Sequence, residues 1–314
     1  MSVIGIDIGG TKIASAIMDN DGNFTKRLIT QLEGRGGEAV GTLINELVVS
    51  LMTLAKEQNE LIDGIGVSVP GIYFAERGSV WAPNIKDWRD YPLYQRLIAI
   101  PDIKDIRVKI DSDRACYILG ETWRGVARGC RNAIFIAIGT GIGAGILIDG
   151  RILRGTGDIA GAIGWMGLDR PYRDVYKSCG CFEYHTSGEG IARVARDYIG
   201  ADKTYRGELR RDDLNSYHVF QAYEHGDQLA VKVFDHCIEF WGMAAANLVS
   251  TFNPEKIIFG GGVFGPAAQF LERIREEVLR WAQPISAGQV SIEVSSLGDD
   301  AGLIGAGRLA RMIG

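Results

Sequence analysis

Cysteine is scarce in this chain of 314 residues, and its odd count lacks the rhythm of a disulfide framework. Disulfide-rich secreted scaffolds are therefore disfavoured, and we expect a soluble protein of a reducing compartment, the cytoplasm. The five cysteines are Cys116, Cys130, Cys179, Cys181 and Cys237.

Positive charge is also in short supply. The 34 Lys and Arg residues are outnumbered by 39 Asp and Glu residues, which gives a net charge of −5 at pH 7. A chain without a basic surplus has no general field to attract phosphate backbones. Nucleic-acid binding by bulk electrostatics is therefore disfavoured.

Long uninterrupted apolar runs are missing as well. The longest spans residues 133–148, and glycines break it into what we predict to be two strands, so we expect no membrane span. The N-terminal segment has no basic leader and places Asp7 inside its first apolar run, so we expect no signal peptide.

Two common nucleotide-binding patterns are absent or incomplete. The chain has no G-x-x-x-x-G-K-[ST] loop. The pattern G-x-G-x-x-G does occur at residues 260–265, but residues 279–286 offer no acidic residue for a ribose. A dinucleotide-dependent oxidoreductase is disfavoured. Gly260, Gly261 and Gly262 would equally suit the ribose and α-phosphate of another nucleotide.

The chain does have the length and the 46% apolar content for two domains with real cores. In the first half, apolar runs predict strands at residues 3–10, 12–19, 23–30, 62–70 and 105–110, with a helix at 38–58. In the second half, we predict strands at 133–138, 142–149, 151–154, 256–260 and 290–295, and helices at 228–252, at 266–282 and from about 300. The residues at 155–186 are predicted to be irregular.

The two halves read as an internal duplication. With an offset of 130 residues, Ile4 falls on Ile134, Gly9 on Gly139 and Asp19 on Asp149. Few individual residues are identical, so the duplication is inferred mainly from the shared order of strands and helices around one glycine turn.

Each half contains a glycine-rich hairpin, "DIGGTK" at residues 7–12 and "GTG" at 139–141. Glycines let a ligand approach the backbone closely and let several N–H groups converge on one anion. Either hairpin alone is equally compatible with a plain tight turn. The pair, with Thr11 and Lys12 in the first, favours phosphate binding. Asp7, just before the glycines of the first hairpin, would hold Mg²⁺ through water, because Mg²⁺ keeps most of its waters.

With these paired hairpins, the chain resembles the actin-like ATPase and sugar-kinase superfamily, and within it the ROK family of repressors, open reading frames and sugar kinases. The resemblance covers essentially the whole chain. The matching segments are "DIGGTK", "VPG" (69–71), "APNIKDW" (82–88), residues 138–164, "NPEKIIFGGGV" (253–263) and "GDDAGLIGAG" (298–307).

The resemblance implies a duplicated α/β fold of two actin-like, ribonuclease H-like domains with an interdomain cleft. The smaller domain would comprise residues 1–113 with about 298–314, and the larger one residues 114–297. It also implies ATP and Mg²⁺ as cofactors. The expected nucleotide-binding residues are Asp7, Gly9, Gly10, Thr11, Lys12, Gly139, Thr140, Gly141, Gly143, Gly260, Gly261 and Gly262.

A carboxylate at the end of a strand is the candidate catalytic group. Residues 108–121, "VKIDSDRACYILGE", place Asp111 and Asp113 where a strand gives way to a helix. Helix capping alone explains Asp and Ser at such a position. Phosphoryl transfer to an alcohol, however, needs a carboxylate within reach of the attacking hydroxyl. By resemblance, Asp113 is the general base.

The acceptor-binding motifs depart from the family pattern. The usual Glu-Asn-Asp-Ala-Asn reads Asp-Ser-Asp-Arg-Ala here, so Ser112 replaces an amide. The usual Gly-Glu-x-Gly-His reads "GAIGW", so Ala162 and Trp165 replace Glu and His, while Glu183 is retained. A large aromatic face suits an apolar ring face or substituent, so we do not expect a typical glucokinase. The expected acceptor-binding residues are Pro70, Gly71, Asn84, Ser112, Asp113, Ala162, Trp165 and Glu183.

The family's zinc motif is also incomplete. Asp174 and Tyr176 stand at two cysteine positions, and Trp165 stands at the histidine. Cys179, Cys181 and His185 would need a fourth ligand that is not evident, so we expect no zinc site.

Two functions remain in competition. One is an ATP-dependent kinase for a sugar, sugar derivative or polyol. The other is a catalytically weak sugar-binding regulator. Six residues precede Asp7, so we expect no DNA-reading segment there. Family members commonly form homodimers, and residues 165–186 would be a pairing or lid region.

Overall fold

The computed structural model describes residues 1–312. Its strands are β1 (Ser2–Ile8), β2 (Lys12–Met18), β3 (Phe24–Gln31), β4 (Ile62–Val69), β5 (Ile72–Phe74), β6 (Ser79–Trp81), β7 (Arg107–Ser112), β8 (Ala133–Ile138), β9 (Ile142–Ile148), β10 (Arg151–Ile152), β11 (Lys256–Gly260) and β12 (Ser291–Val294). Its helices are α1 (Gly37–Glu57), α2 (Leu93–Ile98), α3 (Asp113–Trp123), α4 (Cys181–Thr186), α5 (Gly188–Ala201), α6 (Ser216–Glu224), α7 (Gln228–Phe252), α8 (Leu271–Trp281), α9 (Pro284–Gln289) and α10 (Ala301–Arg311).

The first large sheet has the strand order β3-β2-β1-β4-β7. β1 and β2 form an antiparallel hairpin, whereas β1, β4 and β7 run parallel. In this register Asp7 lies opposite Ser68, and Ser68 lies opposite Asp111. Residues that are in register on adjacent strands share one face, so these three side chains form a row across the sheet.

The second large sheet repeats this arrangement in the order β10-β9-β8-β11-β12. β8 and β9 form the antiparallel hairpin, and β8, β11 and β12 run parallel. The shared order and direction confirm the predicted duplication.

The chain divides into two compact units. Among the described residues, the first contains Met1–Gly129, Ile152–Ala160 and residues 296–312, and the second contains Cys130–Arg151 and Gly161–Ser295. This division differs from the predicted boundary after residue 113, because α3 packs against α10 within the first unit. A Cβ on Gly305 would lie only 1.7 Å from the backbone oxygen of Cys116, so glycine permits that close packing.

Each unit has its own apolar core. In the first, Val40, Ile44 and Leu51 of α1 pack with the apolar residues of β1 and β4. By length and composition alone, α1 is long and apolar enough to cross a membrane. Its buried face is used in this core, which accounts for its apolar content. In the second unit, α7 supplies much of the core, including the fully buried Trp241.

Most predicted strands and the helices α1, α7 and α10 are confirmed to within a few residues. The helix predicted at 266–282 divides into a 3-10 segment, Pro266–Phe270, followed by α8. The β5–β6 hairpin and the helices α2, α4, α5, α6 and α9 were not predicted from the sequence. Residues 155–186 contain short 3-10 turns, and α4 begins at Cys181.

Candidate active site

The first glycine hairpin joins β1 to β2 with a main-chain hydrogen bond. The Gly9 N–H donates to the Lys12 carbonyl at 2.9 Å, and the Leu32 N–H donates to the Thr11 carbonyl at 2.7 Å. Gly10 and Thr11 are exposed. A Cβ on Gly10 would lie 3.3 Å from the Cβ of Asn84, so this predicted acceptor-binding residue lies beside the hairpin. The turn is therefore braced while its tip remains open to a ligand.

Asp7 lies at the end of β1, just before this turn. Burial raises its pKa to about 6, while Ser68, which lies opposite it in the sheet, and the charge of Lys12 oppose the rise. Asp299 and Asp300 push the pKa up further. The first turn of α10 comes close as well, because a Cβ on Gly302 would lie 2.6 Å from Asp7 Oδ2. The carboxylate thus faces more negative than positive charge, which suits binding of a divalent cation.

Asp113 is the first residue of α3, and Ser112 is the N-cap. The Ser112 hydroxyl accepts a hydrogen bond from the Ala115 N–H at 3.3 Å. Asp113 is therefore not needed to cap the helix. Its Oδ1 accepts from the Arg114 N–H at 2.8 Å, and its carboxylate also receives a hydrogen bond from Tyr117.

The Asp113 side chain is partly exposed, yet it is surrounded densely enough to change its acidity. Burial raises its pKa to about 6. Arg114 and the Tyr117 hydrogen bond oppose this rise, and the charge of Asp7 adds to it. A carboxylate with a pKa near neutrality is well matched to accepting a proton from an alcohol.

Asp111 is buried and pairs with Arg154, a residue that was not predicted from the sequence. Arg154 forms an ion pair with its Oδ2 at 2.7 Å, and the Ser112 N–H donates to its Oδ1 at 2.8 Å. Burial raises the pKa of Asp111, and Arg154 opposes the rise. Asp158, whose Oδ2 accepts from the Ala75 N–H at 3.3 Å, also acts on Arg154 electrostatically.

The second glycine hairpin, between β8 and β9, borders a cavity in the second unit. The Gly139 N–H donates to the Gly141 carbonyl at 3.0 Å, and the Gly188 N–H at the start of α5 donates to the Gly139 carbonyl at 2.8 Å. The cavity has a volume of about 830 Å³, within the range of small-molecule sites. Its lining includes Gly139, Thr140, Gly188, Tyr217, Gln221 and Gly262.

The other predicted nucleotide-binding glycines have different surroundings. Gly143 is buried within β9, opposite Ala137. Gly260 ends β11, where a Cβ would lie 2.2 Å from the Phe135 ring. Gly261 has φ +88°, and a Cβ there would lie 2.5 Å from the Ile138 carbonyl oxygen. These contacts explain why both positions need glycine for packing, whereas Gly262 borders the cavity.

Two acceptor-binding candidates, Pro70 and Gly71, directly follow β4 in the first unit. Gly71 has φ +140°, and a Cβ on it would lie 2.2 Å from the Trp81 carbonyl oxygen. The loop therefore approaches the β5–β6 hairpin so closely that only glycine fits.

Three further candidates lie in the second unit. Ala162 precedes the 3-10 turn Ile163–Trp165, and the Trp165 side chain is 58% exposed. Glu183 Oε2 accepts from the Ile142 N–H at 2.7 Å, and burial raises the pKa of Glu183. One of its oxygens is thus engaged by the first residue of β9, directly after the glycine turn.

The prediction that zinc is absent concerns the cysteine and histidine residues near α4. Within residues 1–312, no three His, Cys, Asp or Glu side chains are grouped to hold a metal ion. His185 instead joins a hydrogen-bonded chain, with Nε2 2.9 Å from the Tyr176 hydroxyl and Nδ1 3.0 Å from His236 Nε2. Burial lowers the pKa of His185 to about 4, which keeps it neutral. The absence of zinc stays a prediction.

Comparison with known proteins decides the family, because the ROK family model matches residues 3–313. The chain belongs to the ROK family. A glucokinase of Halalkalibacterium halodurans is 33% identical, and the match covers 98% of this chain and 94% of that protein. A ROK family glucokinase from Streptomyces griseus, solved in complex with glucose and AMPPNP, has a TM-score of 0.75 at 29% identity, over 99% of each chain. A xylose repressor of Caldicellulosiruptor bescii is 30% identical over 97% of this chain and 76% of its own length.

For this ROK protein, the comparisons and the repeated sheet order confirm the predicted fold class, a duplicated actin-like α/β fold. Arg154, Tyr117 and the residues of α6 that line the cavity were not predicted from the sequence. The last group had one local signal, since Asn215 and His218 form a capping box at the start of α6. Arg154 had no such signal, because its partner Asp111 lies on a distant strand.

Proposed function

We propose that this ROK protein transfers the γ-phosphoryl group of ATP to a hydroxyl of a sugar, sugar derivative or polyol, with Asp113 as the general base. The enzyme class, an ATP-dependent sugar kinase, is supported by the similarity to glucokinases. The observation that carries the assignment of the base is the environment of Asp113. This carboxylate is partly exposed, is not used as a helix cap, and has a pKa raised to about 6.

In this proposal each group has a separate task. Asp113 orients the acceptor hydroxyl and takes its proton as the phosphoryl group is transferred. The hairpins at Gly9–Lys12 and Gly139–Gly141 donate main-chain N–H groups to phosphate oxygens. The cavity beside Gly139, Thr140 and Gly262 would hold the adenosine.

The acidic residues around Asp7 in the first unit suit a magnesium ion. Asp7 is partly exposed and faces the charges of Asp299 and Asp300, with Lys12 as the opposing cation. When bound, Mg²⁺ supplies neutralisation of the β- and γ-phosphate oxygens. Asp7 would hold a hydrated ion through its water ligands.

We propose that glucose is not the preferred acceptor, so that the protein is not a typical glucokinase. Ala162 and Trp165 replace two polar residues of the family pattern, and the exposed indole offers an apolar face. Ser112, Asn84, Pro70 and Gly71 are the proposed acceptor contacts of the first unit. Glu183 is the proposed polar contact of the second.

A panel of acceptors tests the activity directly. Hexoses, amino sugars, anhydro sugars and inositols would be incubated with ATP and Mg²⁺, and ADP formation would be followed. We expect at least one acceptor to give stoichiometric ADP and phosphorylated product. ATP consumption that no acceptor stimulates would contradict the proposal.

The nucleotide site can be tested without the acceptor. A Cβ on Gly139 would meet no atom within 4 Å, so Gly139→Ala adds no steric conflict to the ligand-free chain. We expect this methyl group to weaken binding of an ATP analogue about tenfold or more, by blocking close approach of phosphate. Gly200 also has open space around it, and Gly200→Ala in α5 is the matched control. Equal affinities for both variants in isothermal titration calorimetry would contradict the assignment.

A catalytically weak, sugar-binding regulator is the alternative, and the 30% identity to a xylose repressor favours keeping it. Such a protein would bind sugars without ATP turnover. The acceptor panel run by thermal shift as well as by ADP release separates the two functions.

Three further assignments complete the proposal. The first unit would carry the Mg²⁺ site and the acceptor loops with Pro70, Gly71 and Asn84, and the second unit the adenosine site together with the acceptor contact Glu183. A cytoplasmic location is supported by the low cysteine content. A homodimer follows from family resemblance, and its test is the mass measured in solution.

A further inference from the structure

Tyr117 lies one helical turn after Asp113 on α3. Residues at i and i+4 project from the same face of a helix, so the phenol can reach the carboxylate without distorting α3. The Tyr117 hydroxyl hydrogen-bonds to Asp113. The same carboxylate accepts from the Arg114 N–H at 2.8 Å through Oδ1. Two donors on one helix therefore act on this side chain.

The other charges around Asp113 would not fix it in place by themselves. Asp7, on β1, repels the carboxylate, and Arg114 attracts it from the neighbouring position on α3. The charge of Asp113 and burial raise the pKa of Tyr117 well above its usual value, with further contributions from Asp7 and Cys116. The phenol consequently keeps its proton across the physiological range and remains a donor.

We propose that Tyr117 is a positioning residue, which holds the Asp113 carboxylate in the orientation that receives the acceptor proton. The inference rests on the proposed role of Asp113 as the base. Tyr117 and Arg114 take up lone pairs of the carboxylate, which leaves the remaining ones directed to the acceptor. In the reaction the hydroxyl proton moves to Asp113, and Tyr117 keeps its own proton throughout.

The test compares Tyr117→Phe with a matched variant. Phenylalanine keeps the ring and removes only the hydroxyl. In the second unit, the Tyr205 hydroxyl donates to Asp227 at 2.6 Å, so Tyr205→Phe removes a similar bond outside the proposed site. We expect Tyr117→Phe to lower kcat about tenfold with the KM for ATP within about twofold. Tyr205→Phe should leave kcat unchanged, whatever it does to the melting temperature.

The outcome separates this inference from the proposed function. If the wild-type protein is active and Asp113→Asn is not, but Tyr117→Phe keeps the wild-type kcat, the role of Tyr117 is refuted and the kinase assignment survives. A fall in kcat that is matched by a similar fall for Tyr205→Phe also refutes it.

A crystal structure of Tyr117→Phe decides the matter even if no acceptor is found. We expect the Asp113 side chain to leave its single wild-type rotamer or to occupy more than one. An unchanged single rotamer in the variant would overturn the inference independently of any activity.

Discussion

Replacing Asp113 with asparagine should make the protein more stable at alkaline pH while it removes the proposed base. The pKa of Asp113 is raised from 3.8 to about 6, chiefly by burial. Between those values the folded chain holds a proton that the unfolded chain has released, so stability falls as the pH rises through this window. Above about pH 6 the full cost of the charged carboxylate is present, and below about pH 4 it is absent.

The magnitude follows from the size of the shift. Two pKa units correspond to about 3 kcal/mol. Two effects reduce this value: Asp113 retains some contact with solvent, and asparagine weakens the hydrogen bond from Tyr117. We therefore expect Asp113→Asn to raise the free energy of unfolding by about 1 to 2 kcal/mol at pH 8. Near pH 4 the same substitution should change the free energy of unfolding by less than about 0.5 kcal/mol.

Urea denaturation of wild type and Asp113→Asn at both pH values measures this difference. Asp212 is exposed, and Asp212→Asn serves as the matched control with no expected gain. A variant that is less stable than wild type at pH 8, or equally stabilised at both pH values, would show that the environment of Asp113 is misjudged.

Two further substitutions test the surroundings of the base. Arg154→Gln leaves the buried Asp111 without its ion-pair partner, so we expect the free energy of unfolding to fall by about 2 kcal/mol at pH 7.5. This loss should shrink at lower pH, because Asp111 then takes up a proton and no longer carries an unpaired charge. Urea denaturation measures this loss, with Arg151→Gln at the exposed start of β10 as the control. Equal losses of stability in the two variants would refute the prediction. The double substitution Ala162→Glu with Trp165→His restores the family pair, so kcat/KM for glucose should rise at least about tenfold, the value of one or two good polar contacts. Wild type that already phosphorylates glucose as fast as its best acceptor would contradict that reasoning.

The fold could be predicted well because its signals are local. Buried parallel strands such as β4 are continuous apolar runs, and the stripe on α1 has helical spacing. The glycine turns marked both hairpins. The β5–β6 pair was not predicted because each strand has only three residues. β5 is partly buried throughout, and β6 ends in an exposed residue, so neither gives a clear alternating pattern.

The candidate site was predictable only in part, because much of it depends on strand register. Asp7 lies near the end of an apolar run and Asp113 follows a predicted strand, so both could be proposed from the sequence. That Asp7, Ser68 and Asp111 lie in one row is a property of three strands far apart in the chain. The proposed role of Tyr117 depends on α3 beginning at Asp113, which places the phenol one helical turn away.

Transfer of a γ-phosphoryl label from ATP to the best acceptor, compared between wild type and Asp113→Asn, tests the central claim most directly. With nucleotide saturating for both proteins, we predict that the variant transfers label at least about a hundredfold more slowly. Its affinity for an ATP analogue should stay within a few-fold of wild type. Transfer at the wild-type rate by the variant would contradict the assignment of Asp113 as the base.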